Sequence, residues 1–163
     1  MKKIYIIGPI GGGKTTFSRK LSEKYNIKCY ELDKVSWDDE NGHIKRTSDE
    51  ILEIFDTIIN NKSWIIEDVG RDIFKKGRDK ADIIYYIKIT KFKSYYRVAK
   101  RLIRQKLGIE EYNCPPSFKE WKYLVSAIKK YYDKEHELLE SLKLYQDKLV
   151  FVNSKMINKI LNG

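Results

Sequence analysis

Residues 8–15, Gly-Pro-Ile-Gly-Gly-Gly-Lys-Thr, constrain the fold of this chain more than any other feature, because they have the spacing G-x-x-x-x-G-K-T. The apolar run Lys3–Ile7 before them predicts a buried strand, and Phe17 and Leu21 after them predict a helix over residues 14–25. The glycines allow a tight backbone curl that directs successive N–H groups inward, and the helix N-terminus adds partial positive charge. The sequence therefore predicts a phosphate-binding loop between a strand and a helix of an α/β fold.

Each residue type in this loop suits a contact with a nucleoside triphosphate, ATP or GTP. Lys14 is expected to reach the β- and γ-phosphates, Thr15 to ligate Mg²⁺ through its hydroxyl, and Thr16 to donate to the α-phosphate. The predicted nucleotide-binding residues are Gly8, Gly11, Gly12, Gly13, Lys14, Thr15 and Thr16. The alternative is a glycine-rich turn that matches by chance, as roughly one random chain in a few hundred does. The flanking strand and helix favour the phosphate-binding interpretation.

Strands and helices are predicted to alternate along the rest of the chain. Further strands are predicted at residues 28–32, 64–66, 83–89 and 149–152. Helices are predicted after the capping-box pair Thr47 and Glu50, over residues 92–107, from Ser117 as one long helix to Leu142, and after a Ser154 cap. This alternation predicts a mainly parallel sheet with helices on both faces. Since no repeat or linker divides the chain, residues 1–163 are interpreted as one domain.

Three acidic residues follow or end predicted strands, at the edge of the sheet where ligands of such folds bind. Asp33 follows the second strand, where its carboxylate can orient an acceptor hydroxyl, accept its proton or bind Mg²⁺ through water, or only cap a turn. Glu67 and Asp68 end the third strand, and Glu67 is the predicted second carboxylate of the Mg²⁺ site. Their alternative role is to begin a loop. Arg71 and Arg78 flank the same edge and are candidates for binding the acceptor.

The positive charge of the chain is concentrated in one segment. The net charge is +10, and residues 71–106 hold thirteen Lys or Arg against three Asp, so the other residues carry twenty of each sign. Such a surplus indicates a polyanionic partner, either nucleotide phosphates or a nucleic acid, or else a lysine-rich solvated surface. Arg97, Arg101 and Arg104 fall on one helix face and would repel each other without an anion or acidic partners.

The order of motifs along the chain resembles the adenylate-kinase-like DNA topology modulation proteins. The resemblance rests on the phosphate-binding loop, on Glu-Leu-Asp-Lys-Val-Ser-Trp at residues 31–37, on Trp-Ile-Ile-Glu at 64–67 and on Ala-Asp-Ile-Ile at 81–84. It implies a P-loop NTPase of the nucleoside-monophosphate-kinase type, with a sheet order of 2-3-1-4-5 and a small helical lid at approximately residues 97–120. It also implies that Arg97 and Arg101 are catalytic residues that close over the polyphosphate.

The sequence departs from this family at two places. Glu67 and Asp68 stand where related kinases have Asp-Gly, and Glu31 stands where the family frequently has His. Both differences add a carboxylate near the expected acceptor site. They weaken the case for a strongly anionic acceptor such as AMP.

These observations favour an enzyme, a kinase that uses Mg²⁺ and transfers a phosphoryl group from ATP (or GTP) to a small acceptor, such as a nucleotide, a nucleoside or another metabolite. The predicted catalytic residues are Lys14, Asp33, Arg97 and Arg101, and the predicted metal ligands are Thr15, Asp33 and Glu67. The alternative is a nucleotide-regulated nucleic-acid-binding protein with slow NTPase activity. With two cysteines and no apolar run of roughly 18 residues, we expect a cytoplasmic monomer or homodimer without a membrane partner.

Overall fold

A five-stranded parallel sheet forms the centre of the fold. The structure is a computed structural model that describes residues 2–38, 44–110 and 117–162. In chain order its strands are β1 (Lys3–Ile7), β2 (Cys29–Glu31), β3 (Trp37–Asp38), β4 (Ile44–Lys45), β5 (Trp64–Asp68), β6 (Ile83–Ile87) and β7 (Leu149–Val152). The central sheet has the order β2-β5-β1-β6-β7 with every pair parallel, while β3 and β4 form a separate antiparallel pair. Counted within the central sheet the order is 2-3-1-4-5, so the predicted fold class and strand order are confirmed.

Helices cover this sheet on both faces. In chain order they are α1 (Lys14–Tyr25), α2 (Leu32–Val35), α3 (Ser48–Ile59), α4 (Lys75–Lys80), α5 (Lys91–Lys106), α6 (Phe118–Asp133), α7 (Glu135–Leu142) and α8 (Ser154–Asn162). Two 3₁₀ turns, Asp72–Phe74 and Lys143–Tyr145, precede α4 and follow α7. The predicted capping box at the start of α3 is present, with the Thr47 N–H donating to Glu50 and the Glu50 N–H donating to the Thr47 hydroxyl.

Successive residues of each strand point into two different hydrophobic cores, one on each face of the sheet. Tyr5 and Ile7 of β1 belong to the core that α3 and α7 cover, and Ile4 and Ile6 belong to the core that α1 and α8 cover. All four side chains are buried. Because both faces are covered, the strands are continuous apolar runs, and this is the pattern from which the sequence predicted them.

Several element ends differ from the predictions. The strand predicted at residues 28–32 ends at Glu31, because Leu32 begins α2, and the strand predicted to residue 89 ends at Ile87. The strand β5 continues through Glu67 and Asp68, so these residues lie inside the sheet and do not begin a loop. The pair β3–β4 was not predicted, because strands of two residues carry no recognisable periodicity.

The long helix predicted from Ser117 is two helices in the structure. The backbone leaves helical geometry at Lys134, between the end of α6 and the beginning of α7. The new direction places Leu138 of α7 against Gly70 of the loop after β5, where a Cβ atom on Gly70 would lie 2.7 Å from Leu138 Cδ2. The change of direction thus brings α7 over the edge of the sheet that carries the acidic residues.

The cap of the last helix also differs from the prediction. Asn153, not Ser154, caps α8, since the Asn153 Oδ1 accepts hydrogen bonds from the N–H groups of Lys155 and Met156 at 3.0 and 3.1 Å. Part of the predicted lid, residues 111–116, lies outside the described residues, as does Cys114 within it. Within the described ranges, none of the helices has the length and apolar character that a bilayer crossing requires.

We expect Gly77→Ala to destabilise the fold, because Gly77 of α4 is buried and its added Cβ would lie 2.7 Å from Tyr5 Cε2 and 2.8 Å from Phe55 Cζ. Overpacking of this kind costs about 1–3 kcal/mol, which exceeds the gain of about 1 kcal/mol that alanine brings to a helix. The free energy of unfolding in urea measures the loss. Lys76→Ala, at the exposed neighbouring position, should change stability by less than about 0.5 kcal/mol. Equal stability of Gly77→Ala and the wild type would contradict the packing of α4 on β1.

Candidate active site

The loop between β1 and α1 has the compact geometry that the glycines predicted. The Gly12 N–H donates to the Pro9 carbonyl at 2.9 Å. Gly11 and Gly13 have φ angles of +73° and +93°, in the left-handed region that side chains disfavour. A Cβ on Gly11 would also lie 3.0 Å from the Ser94 carbonyl oxygen of α5. The positions of these glycines are therefore required by the backbone itself, and the loop passes directly from β1 into α1.

Lys14, the first residue of α1, folds back over the loop. Its Nζ donates to the Pro9 carbonyl at 3.1 Å, and its side chain is partly buried. Burial lowers the pKa of Lys14, while the nearby carboxylates of Glu67, Asp33 and Asp68 act in the opposite direction. Lys14 therefore lies close enough to all three predicted acidic residues to feel their charges. The structure brings the loop and the ends of β2 and β5 together, as the sheet order implies.

Thr15 and Glu67 make the most direct contact between the loop and β5. The Thr15 hydroxyl donates to Glu67 Oε1 at 2.7 Å. Glu67 is only 7% exposed, and its Oε2 is buried without a hydrogen-bond partner. Burial raises the pKa of Glu67, against the opposing effects of Lys14 and Thr15. A buried carboxylate oxygen without a partner is costly, and it is found mainly where an ion, a water molecule or a ligand completes the site.

The oxygen atoms of Thr15 and Glu67 are the donor type that Mg²⁺ prefers. Among residues 2–38, 44–110 and 117–162, no group of three or more His, Cys, Asp or Glu is arranged to hold a metal ion by itself. Proteins commonly hold Mg²⁺ with one or two carboxylates while phosphates and water complete the coordination. The chain thus offers a partial set of oxygen ligands beside the phosphate-binding loop, and this set fits Mg²⁺ bound together with a polyphosphate.

Asp68 and Arg71 form an ion pair on the opposite face of β5, with a buried carboxylate and a partly exposed arginine. The Asp68 carboxylate is fully buried and accepts hydrogen bonds from the N–H groups of Gly70 and Arg71 at 2.8 and 2.7 Å. Its Oδ1 accepts a further bond from Arg71 Nε at 2.7 Å. Since consecutive strand residues point to opposite faces, Glu67 lies beside Thr15 while Asp68 lies beside Arg71. Asp68 therefore anchors Arg71, and its carboxylate lies on the face of β5 opposite to that of Glu67 and Thr15.

Arg71 links this anchor to Asp33. Its Nη1 donates to the Ser36 hydroxyl at 3.0 Å, and its Nη2 lies 3.1 Å from Asp33 Oδ1 without the alignment of a hydrogen bond. The Asp33 side chain is 76% exposed, at the second residue of α2. The predicted site residue Asp33 thus lies at the solvent-exposed edge of the sheet, where it forms an ion pair with Arg71.

The three arginines predicted to share a face of α5 make different contacts. Arg97 Nη1 donates to the carbonyls of Gly11 and Gly12 at 3.2 and 3.0 Å. The Arg101 Nε is buried without a hydrogen-bond partner. Arg104 instead pairs with Glu110 at 3.3 Å, the acidic-partner alternative for this face. Arg97 is therefore the arginine that contacts the loop, and it does so through backbone oxygens.

Sequence reasoning missed a second contact between α5 and the loop. The Ser94 hydroxyl donates to the carbonyl of Ile10, across 84 positions of sequence. The only local signal is the Thr90 cap, whose hydroxyl accepts from the Lys93 N–H and fixes where α5 begins. From that start, Ser94 and Arg97 are three residues apart and fall on the same face of the helix. No sequence pattern indicates that this face meets the loop.

A cavity of about 360 Å³ lies between the loop and α8. Its lining combines polar atoms of the loop and α5 with apolar residues of α8. The residues that line it include Gly13, Thr16, Arg97, Ile157 and Leu161. This cavity is lined by loop residues Gly11, Gly12 and Gly13, so a molecule with its phosphates on the loop can extend into it.

Comparisons with known proteins agree with a P-loop kinase fold. No protein-family model matches the chain. The chain is 29% identical to a shikimate kinase of Blochmanniella floridana over 64% of this chain and 60% of that protein, and 32% identical to a shikimate kinase of Marinomonas over 48% and 33%. The chain thus spans 60% or less of the length of the curated relatives it matches.

Two solved structures resemble the whole chain. A gluconokinase from Sinorhizobium meliloti has a TM-score of 0.58 and 16% identity, with 99% of this chain and 87% of that chain covered. A deoxyadenosine kinase from M. mycoides with bound dATP has a TM-score of 0.50 and 14% identity, with 99% and 98% covered. At these identities the likeness shows the fold. The comparisons do not show the topology modulation family that the motif order resembles.

We expect Glu67→Gln to stabilise the nucleotide-free protein at pH 7 by about 1 kcal/mol, because it removes a buried charge with an unpaired oxygen. Because the pKa of Glu67 is raised in the folded protein, its ionisation lowers the free energy of unfolding at pH values above the unfolded-state pKa of about 4.3. The gain should therefore vanish as the pH falls below about 4, where the carboxyl is protonated in both states.

Urea unfolding of wild type and variant at pH 7 and pH 4 measures this difference. Glu31→Gln is the matched control, since Glu31 is paired with Arg19 at 2.7 Å and should not become more stable when neutralised. A less stable Glu67→Gln protein at pH 7 would show that Glu67 serves the fold through its contacts with Lys14 and Thr15.

Proposed function

We propose that this protein is a kinase that transfers the γ-phosphoryl group of ATP or GTP to a hydroxyl of a small acceptor. The observation that carries the proposal is the contact of Thr15 with Glu67, whose second oxygen is unpaired, beside a glycine loop and Lys14. The relatives and structural neighbours are named as kinases of different small molecules, which supports phosphoryl transfer and leaves the acceptor to be argued from this chain.

The loop and α1 bind the phosphates in this proposal. Backbone N–H groups of the loop and the N-terminus of α1 face the phosphate oxygens, and Lys14 exchanges its bond to the Pro9 carbonyl for the β- and γ-phosphates. Thr16 lines the cavity beside the loop and is placed to donate to the α-phosphate. The same cavity, with Ile157 and Leu161 on its apolar side, accepts the base.

Thr15 and Glu67 are the residues that would hold Mg²⁺, and Asp33 would reach it through water. When bound, Mg²⁺ neutralises charge on the β- and γ-phosphates. The fit rests on the unpaired Glu67 Oε2 and on the all-oxygen donor set, which are both properties of the chain itself.

Asp33 positions the acceptor and receives its proton. The acceptor oxygen forms a bond to the γ-phosphorus, the bond from that phosphorus to the β-phosphate oxygen breaks, and ADP or GDP leaves. The hydroxyl proton passes to the exposed Asp33 carboxylate. Because Arg71, itself anchored by Asp68, pairs with Asp33, the carboxylate is held near this edge before the acceptor binds.

Arg97 and Arg101 are proposed as the cations that act on the polyphosphate from α5. Arg97 holds the carbonyls of Gly11 and Gly12 and so fixes the loop, while the unpaired Nε of Arg101 leaves that side chain with a donor to offer. Together they belong to the proposed lid, residues 97–120, within one domain that comprises residues 1–163.

The rival function, nucleic-acid binding by the basic segment, has less support from the contacts. Many of the cations in residues 71–106 already have partners within the chain. These are Arg71, Lys75, Lys76, Arg78, Lys80, Lys91, Arg97 and Arg104. Six of these eight cations pair with carboxylates and two with uncharged oxygens, so their positions are set by contacts within the chain, although the net charge of +10 is unchanged.

We expect Lys14→Ala to weaken binding of Mg-ATP by about 10- to 100-fold, because it removes a charge-assisted contact to the phosphates. Its only described hydrogen bond is to a loop carbonyl, so the fold should remain intact by circular dichroism. Calorimetric titration measures the affinity, and γ-labelled ATP with a panel of acceptors measures transfer. Lys24→Ala, which removes a lysine from the other end of α1, should bind Mg-ATP like the wild type. Unchanged binding by Lys14→Ala would rule out the loop as the phosphate site.

Asp33→Asn should lower kcat by about 10²- to 10⁴-fold while the affinity for Mg-ATP stays near that of the wild type. The reason is that the exposed carboxylate faces the acceptor, whereas the phosphates bind the loop. Steady-state kinetics and nucleotide titration separate the two effects. Asp72→Asn, with the same loss of charge at a 93% exposed carboxylate, should leave kcat unchanged. A normal kcat in Asp33→Asn would reduce Asp33 to a residue of α2 that pairs with Arg71.

A further inference from the structure

The hydrogen-bond donors of Arg71 indicate what kind of phosphoryl acceptor can bind at the edge of the sheet beside Asp33. Nε is committed to the buried Asp68, and Nη1 to the Ser36 hydroxyl. Nη2 is buried, with Asp33 Oδ1 at 3.1 Å but no aligned hydrogen bond. One guanidinium thus lies between two carboxylates, so these three groups carry a net charge of −1, while Lys14, the other nearby cation, is assigned above to the phosphates of the nucleotide. Nη2, the nitrogen of this guanidinium without an aligned hydrogen bond, lies 3.1 Å from Oδ1 of the exposed Asp33 side chain.

Other cations near this edge are already committed to the chain. Lys34 pairs with Glu31 at 3.5 Å, and Arg46 donates to the carbonyls of Lys34 and Val35 at 3.3 Å. Arg78, the other predicted acceptor-binding arginine, is 2% exposed and donates to the Arg71 carbonyl and to Asp72. The Asp33 carboxylate, by contrast, is exposed to solvent over 76% of its side chain.

The opposite wall of the same edge is built from hydroxyl and carboxylate oxygens. Tyr86 is in register with Ile7, and Ile7 with Asp68, so Tyr86 and Asp68 share a sheet face roughly 10 Å apart. The Tyr86 hydroxyl donates to Glu135 Oε1 at 2.7 Å and lies 3.1 Å from the Tyr131 hydroxyl. Burial raises the pKa of Tyr86, so this hydroxyl stays protonated.

We infer that the acceptor is an uncharged molecule rich in hydroxyl groups, and not a carboxylate or a phosphate monoester. The inference rests on the proposed kinase function. A hydroxyl can donate a hydrogen bond to the exposed Asp33 carboxylate, whereas the buried Arg71 Nη2 offers no donor to the acceptor. A carboxylate or phosphate only accepts, so it would face the negative charge of Asp33 without a donor from Arg71 to offset it. Arg71 is a positioning residue here, and Asp33 is the group that selects for charge.

Matched pairs of acceptors that differ in charge test this inference. A nucleoside is compared with its 5′-monophosphate, and an alditol with the aldonate of the same carbon count, using wild-type protein and γ-labelled ATP. The uncharged member of a productive pair should have a kcat/KM at least about a hundredfold higher, since like charges brought together cost several kcal/mol. A higher kcat/KM for the charged member would overturn the inference and leave the kinase function standing. If Mg-ATP binds and no member of any pair is phosphorylated, the kinase function fails and the inference fails with it.

A binding measurement separates charge selection from turnover. In the presence of Mg-ADP, the uncharged member of a pair should raise the Tm of the wild type. The Tm of Asp33→Asn should not rise with the uncharged member, and it should rise with the charged member. Asp56→Asn removes one negative charge on the surface, where Asp56 pairs with Lys76, and should behave as the wild type does. A shift of the wild-type Tm by the charged member, unchanged in Asp33→Asn, would overturn the assignment of charge selection to Asp33.

Discussion

The parallel pairing of β1 with β5 is the interaction on which the site depends. The register places Ile7 beside Asp68 and Ile6 beside Glu67, so the loop that begins at Gly8 lies next to two carboxylates. Parallel strands all end at the same edge of a sheet, and for this reason β2 delivers Asp33 to the same place. This pairing brings Thr15 and Glu67 into contact although they are 52 residues apart in the sequence.

The alternation of side chains along β5 divides the edge into two parts with different chemistry. Glu67 points to the face of α1, where it meets Thr15 and lies near Lys14. Asp68 points to the other face, where it is saturated by backbone N–H groups and by Arg71. A saturated carboxylate stabilises its surroundings, whereas an unsaturated one stays available to a ligand. Two adjacent acidic residues therefore contribute one structural anchor and one candidate ligand.

Helix α5 supports the loop from the side away from β5. Ser94 and Arg97 donate to loop carbonyls and so occupy none of the loop N–H groups, of which that of Gly12 is bonded to Pro9. A guanidinium that binds carbonyl oxygens in this way also brings a positive charge near the proposed phosphate site without using the N–H donors of the loop. The buried faces of the sheet pack tightly around these parts, and the stability of the two cores offsets the cost of the unpaired Glu67 oxygen.

The sequence by itself determined the loop, the alternation of strands and helices, and the start of α1, because these follow from local patterns of glycine, apolar spacing and caps. It also placed Asp33 and Glu67 at strand ends, from which a shared edge follows. Only the tertiary structure decided that Asp68 anchors Arg71, that Arg71 pairs with Asp33 and that Arg97 binds the loop carbonyls. The Arg71–Ser36 contact joins residues 35 positions apart, and the Arg97–Gly12 contact joins residues 85 apart. Which helix face meets which loop is set by the packing of the whole sheet, and no local pattern encodes it.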